Sequence, residues 1–139
     1  MLRQKLLFCL ILFFAETTGA QVDYSESWED FFSYNNVKDF VKVANVIYAL
    51  ADNAVFIYDI NTQQTQKHSS IQGLSGETTT AIHFSESTNR LIIGYENGLI
   101  EVVDDDGSIS ISADILNFNQ SGAKSINHIY EQEGKLYLS

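Results

Sequence analysis

The stretch Gly73-Leu-Ser-Gly-Glu-Thr-Thr-Thr-Ala-Ile-His-Phe84, followed after a polar break by Arg90-Leu-Ile-Ile-Gly-Tyr-Glu-Asn-Gly-Leu-Ile-Glu-Val-Val-Asp104, decides the fold. It reads as an entry loop, a strand over Thr80–Phe84, a polar turn over Ser85–Asn89 and a buried strand over Arg90–Tyr95. Glu96-Asn97-Gly98 then predicts a hairpin, with Asn97 and Gly98 supplying positive φ angles, and Leu99–Val103 the next strand. Asp106-Gly107 is a second turn of that kind. It leads into Ser108–Ala113, where apolar and polar residues alternate as in a strand with one wet face.

The same pattern lies on both sides. Upstream, Val46–Ala51 is a nearly continuous apolar run suited to a strand buried on both faces. Asp52-Asn53-Ala54 turns, Val55–Ile60 returns, Asn61–Gln64 turns again, and Thr65–Ser69 is a polar outer strand. Downstream, Ser125–Tyr130 is followed by a turn over Glu131–Gly134 and a strand over Lys135–Ser139. Overlaid, Asn45-Val-Ile-Tyr matches Asn89-Arg-Leu-Ile, Asp52-Asn53-Ala54 matches Glu96-Asn97-Gly98, and His83 coincides with His128. The offset is about 44–45 residues, the period of four-stranded propeller blades.

The expected fold is therefore all-β: about two complete four-stranded propeller blades plus part of a third. A ring needs roughly four to eight blades to close, so the chain reads as a fragment of a larger propeller. Alone, it is expected to expose an apolar edge and to aggregate. The expected division is a signal peptide over 1–20, a lead-in over 21–36 and the partial propeller over 37–139.

The signal peptide rests on Arg3 and Lys5, the apolar run Leu6–Ala15, and small residues up to Ala20, a run too short to span a bilayer. Cys9 lies inside that run, so cleavage leaves no cysteine for disulfides or thiol chemistry. The lead-in carries Trp28-Glu-Asp-Phe-Phe-Ser-Tyr34, expected to pack. With no proline in the chain, turns fall to Gly, Asn, Asp and Ser. The formal charge is −10. Cleavage removes two positive charges and one negative, leaving −11. Such a balance argues against nucleic acid, whose binding needs a basic surface, and against adsorption to anionic lipid.

No pattern of catalytic chemistry emerges. Asp104-Asp105-Asp106-Gly107 resembles half a calcium loop, but the sixth position, where such loops place glycine, is Ile109; a turn is expected instead. His68, His83 and His128 lack paired-ligand spacing. No nucleophile elbow, phosphate loop or dinucleotide fingerprint is present. Asn119-Gln120-Ser121 fits the glycosylation pattern but is read as incidental. The expectation is no enzyme, with no catalytic, cofactor-binding or metal-binding residue and no cofactor.

Gly73-Leu-Ser, Thr80-Ala-Ile-His-Phe84 and Leu91-Ile-Ile-Gly-Tyr-Glu-Asn-Gly-Leu99 together resemble the propeller repeat of two-component regulators. The Trp and Thr of that repeat's Trp-Ile-Gly-Thr core are absent at Ile92-Ile93-Gly94-Tyr95. With the aromatic opening at Trp28–Tyr34 and Val46-Ile-Tyr-Ala-Leu-Ala51, the sequence over about 28–139 is more similar to the N-terminal propeller of the PorZ family. That resemblance implies an exported, non-enzymatic scaffold of the type IX secretion system of Bacteroidetes, in the periplasm or at the outer-membrane surface. It would support cargo attachment there, with partners in the attachment complex and anionic lipopolysaccharide as a further ligand. The alternatives are the periplasmic sensor half of a hybrid two-component regulator and, more remotely, an exported enzyme acting on glycans.

Overall fold

The computed structural model describes residues 36–119 and 121–139. The expected signal peptide, the lead-in with Trp28–Tyr34, and Gln120 of the glycosylation pattern lie outside the described residues.

Strands β1 (Val37–Val43), β2 (Val46–Ala51), β3 (Ala54–Asp59) and β4 (Thr65–His68) form one antiparallel sheet in sequence order. β5 (Thr79–Ser85), β6 (Arg90–Tyr95), β7 (Ile100–Val103) and β8 (Ile109–Ser112) form a second, and β9 (Ile129–Gln132) pairs with β10 (Lys135–Leu138). Two four-stranded meanders and a hairpin are the two blades and the partial third that the repeat implied.

Period-2 alternation sets which blade each residue faces. On β6, Leu91, Ile93 and Tyr95 turn towards the first blade, where they join Leu50, Val55, Leu74, Ile82, Leu99 and Val103 in the main core. Ile92 turns the other way and packs with Ala81, Ile100, Ile126 and Ile129 against the third unit. The near-continuous apolar run of β6 is thus a strand sandwiched between neighbouring units, whereas β2 packs on the second blade through Tyr48 and Leu50. Gly94 faces the third unit, and a Cβ there would lie 2.7 Å from Ile126 Cγ2. The glycine is the seat into which the next blade's lead-in packs.

Each innermost strand carries a bulge at the same point, at Lys38 in β1 and Thr80 in β5, where the register with the next strand shifts. Both bulged residues reach forward to the next unit. Lys38 Nζ donates to Thr79 O at 3.1 Å, and Thr80 Oγ1 donates to Ile126 O at 2.5 Å. Alongside them, Ile82 N donates to Asp39 Oδ2, Thr79 N to Asp52 O, and Ile126 N to Tyr95 O. A polar seam therefore accompanies the apolar core at both junctions.

Four expectations are corrected. In the hairpin before β7 only Gly98 has positive φ, at 87°. Asn97 instead accepts a hydrogen bond from Leu99 N through its side chain, and Gly98 N closes the turn on Tyr95 O. This is the three-residue hairpin, a turn followed by a left-handed glycine. The last turn is only Glu133-Gly134, so Glu131 and Gln132 belong to β9. His83 and His128 do not share a blade position: four residues separate Ser85 from Arg90, whereas two separate Gln132 from Lys135. Counted along the ladders, His83 is equivalent to Tyr130. On β8, Ile109 packs on the core but Ile111 is 60% exposed, because an outermost strand is half covered at best.

Candidate functional site

The Gly73-Leu74-Ser75-Gly76 loop links the blades, and its chemistry is internal. Gly73 and Gly76 take positive φ angles, 106° and 77°, which a side-chain-bearing residue adopts only with strain. They allow Leu74 to drop into the main core and aim Ser75 N at Glu101 Oε1, 2.9 Å away. Glu101, on β7, is fully buried. Its other oxygen accepts the Tyr95 hydroxyl. Burial first, then Glu101 itself, pushes the Tyr95 phenol far above the ordinary tyrosine range, which keeps it a proton donor. A buried acid with both oxygens engaged holds structure together. It has no room for a substrate.

At the second junction, Glu131 of β9 accepts from Ser87 Oγ at 2.7 Å and lies 3.5 Å from His83 Nε2. Ser87, foremost, holds the Glu131 carboxyl below its usual range. His83 is thus paired, contrary to the isolated histidine read from sequence. The order of contacts matters chemically: the carboxylate sits between serine and histidine, so the imidazole is not placed to take the serine proton as a nucleophilic site requires.

The first junction is different. There the facing surfaces of the blades leave an open groove of about 590 Å³. Its floor includes Tyr48 and Phe84, with ring centroids 5.7 Å apart and planes 19° from parallel, and also Leu91 and Val103. Its rim is built from two turns, Asp59 to Gln64 and Asp104 to Gly107. Asp59 Oδ1 accepts from Asn61 N and Thr62 N, and the Thr62 contact leads in holding its carboxyl below the ordinary range. Asp106 accepts from Ser108 N at 2.8 Å, and Ser108, hydroxyl first, lowers its carboxyl likewise. Asp104 pairs with Arg90 Nε at 2.5 Å.

Asp104–Gly107 is therefore the expected turn, closed by Gly107 N on Asp104 O with Gly107 at φ 83°. Among the described residues no three or more His, Cys, Asp or Glu are grouped to hold a metal. His68 lines the groove, whereas His128 exchanges backbone bonds with Ser139. No single motif marks this groove in the sequence; half its wall comes from residues about 40 positions away, and only the blade repeat signals that they meet.

Blades of this topology, joined by seams of apolar and polar contacts, define a β-propeller module. A family model described as the PorZ N-terminal beta-propeller domain of the type IX secretion system matches residues 47–139, more than half of the chain, and the chain belongs to that family. Among solved structures it is similar to PorZ of Porphyromonas gingivalis, described as an essential bacterial surface component of the type-IX secretion system. The two share 20% identity with a TM-score of 0.67, over 74% of this chain and 14% of that one. The chain thus spans about a seventh of the relative it matches. No curated protein matches it. Among the described residues no helix is long and apolar enough to cross a membrane.

Proposed function

We propose that this chain is an exported, non-catalytic docking module of a type IX secretion apparatus, supporting attachment of cargo at the cell surface. The observation that carries this reading is membership of the PorZ N-terminal propeller family across residues 47–139. The site chemistry agrees with it. The buried carboxyl of Glu101 is spent on Tyr95 and Ser75, and the partly exposed carboxyl of Glu131 on Ser87 and His83, so neither is poised for acid–base work.

A net charge of −10 favours a protein partner over anionic lipopolysaccharide, since like charges repel along the approach. The test is crosslinking and affinity capture of the tagged full chain from its own bacterium, paired with deletion of its gene. Recovery of attachment components, with cargo lost from the surface on deletion, is expected. Unchanged surface cargo in the deletion strain would refute the reading.

A further inference from the structure

We infer that the groove between the first two blades is a docking site for a lysine- or arginine-bearing segment of a partner protein. The floor and the rim ask for different parts of one side chain. Tyr48 and Phe84 present stacked aromatic faces with Leu91 beside them, a surface on which the aliphatic stem of a long cationic side chain lies well. Aromatic faces also attract the cationic head itself.

The rim carries Asp59, Asp104, Asp105 and Asp106, and among the described residues no lysine or arginine lines the groove. Arg90 balances Asp104, which leaves three carboxylates facing the opening. Two of these are fixed in place by backbone bonds, Asp59 by Thr62 N and Asn61 N, and Asp106 by Ser108 N. Asp105 is exposed and makes no bond among the described residues.

The second junction supplies the contrast. There the acid, Glu131, is satisfied from within by Ser87 and His83, whereas the groove at the first junction is lined by Asp59, Asp105 and Asp106 with no side-chain partner from the facing blade among the described residues. The half-buried Tyr48, whose phenol burial pushes up, also has no hydrogen-bond partner among the described residues. A bare metal ion fits the groove poorly, because the rim acids do not converge as a ligand set. An anionic glycan would meet three carboxylates. An extended basic peptide matches floor, rim and shape together.

This inference rests on the docking reading above only in taking the occupant to be a protein. The test uses the full chain and two synthetic peptides, tetra-arginine amide and the uncharged tetra-citrulline amide, by isothermal titration calorimetry. In the double variant Asp105→Asn/Asp106→Asn the side-chain amide oxygen at position 106 still accepts from Ser108 N, so the turn is kept. The control is Glu77→Gln/Glu133→Gln, two exposed acids away from the groove.

Tetra-arginine should bind at least about tenfold tighter than tetra-citrulline at low salt, and weaken as salt is raised. The groove variant should lose about tenfold, and the control less than about twofold. Equal losses in both variants would reduce the effect to general charge attraction and overturn the site. So would equal binding of the neutral peptide, or no binding at all. Failure here with partner capture intact sinks the groove alone; peptide binding with no effect of gene deletion on cargo sinks the docking function alone.

Discussion

Replacing Tyr95 by phenylalanine tests whether the blades are held by a buried acid. The ring and its packing stay; only the hydroxyl that donates to Glu101 goes. Glu101 is fully buried, and its one remaining donor among the described residues is Ser75 N at 2.9 Å. An oxygen of a buried carboxyl left without a partner costs about 2–3 kcal/mol. For a domain of this size that is a fall of roughly 6–12 °C in Tm.

The assay is urea unfolding followed by far-ultraviolet circular dichroism, with wild type, Tyr95→Phe, Glu101→Leu and the double variant forming a cycle. Removing both ends also removes the orphaned oxygen, so the double variant should be milder than the sum of the singles by about 1–2 kcal/mol. Full recovery is not expected, because Ser75 N loses its acceptor. A cost below about 0.5 kcal/mol for Tyr95→Phe, or singles that simply add, would show that Glu101 is served by something other than this bond.

Gly94→Ala places a methyl within 2.7 Å of Ile126 and should cost about 2–3 kcal/mol by overpacking. Gly107→Ala meets nothing within 4 Å and should cost only about 1 kcal/mol, for its positive φ; urea midpoints rank the two. Ala44→Gly should raise stability by about 0.5–1 kcal/mol, since Ala44 sits at φ 49° in a left-handed conformation that alanine adopts only with strain; a lowered midpoint would contradict this. The alkaline limb of stability should also change. The unfolded chain ionises its tyrosines near pH 10, while burial keeps the Tyr95 phenol protonated well above that. Its contribution is intact below about pH 10 and declines above, by up to about 1.4 kcal/mol per pH unit. Tyr95→Phe should flatten that decline in urea midpoints measured across the range.

Strands are legible where side chains alternate or run apolar, because those patterns follow directly from which faces are covered. Arg90–Tyr95 and Val46–Ala51 fall where the apolar runs place them. Turn lengths are less legible. Glu131 looks like turn material by composition, yet β9 claims it because Ser87 and His83 offer it partners across the junction. Two extra residues before Arg90 then shift every comparison made along the preceding strand, which is why His83 and His128 coincide only in a direct overlay of the sequence. The short helix Asp114–Asn117 carries no sequence signal either. Its single turn has no side-chain cap in Ala113 and is secured from outside by Lys124 Nζ on Leu116 O at 2.6 Å. The groove is an extreme case, since nothing local in Tyr48, Asp59, Phe84 or Asp105 announces that they share an opening.

Within the polar seam, the side-chain donors at the two bulges point one way. Lys38 reaches forward to Thr79 and Thr80 reaches forward to Ile126; each bulge hands its donor to the unit that follows. A junction of this type needs two consecutive repeats and nothing from the far side of a ring. Each blade can therefore dock on its predecessor as soon as its inner strand is available. A chain delivered N-terminus first would be sealed unit by unit in the order of its delivery.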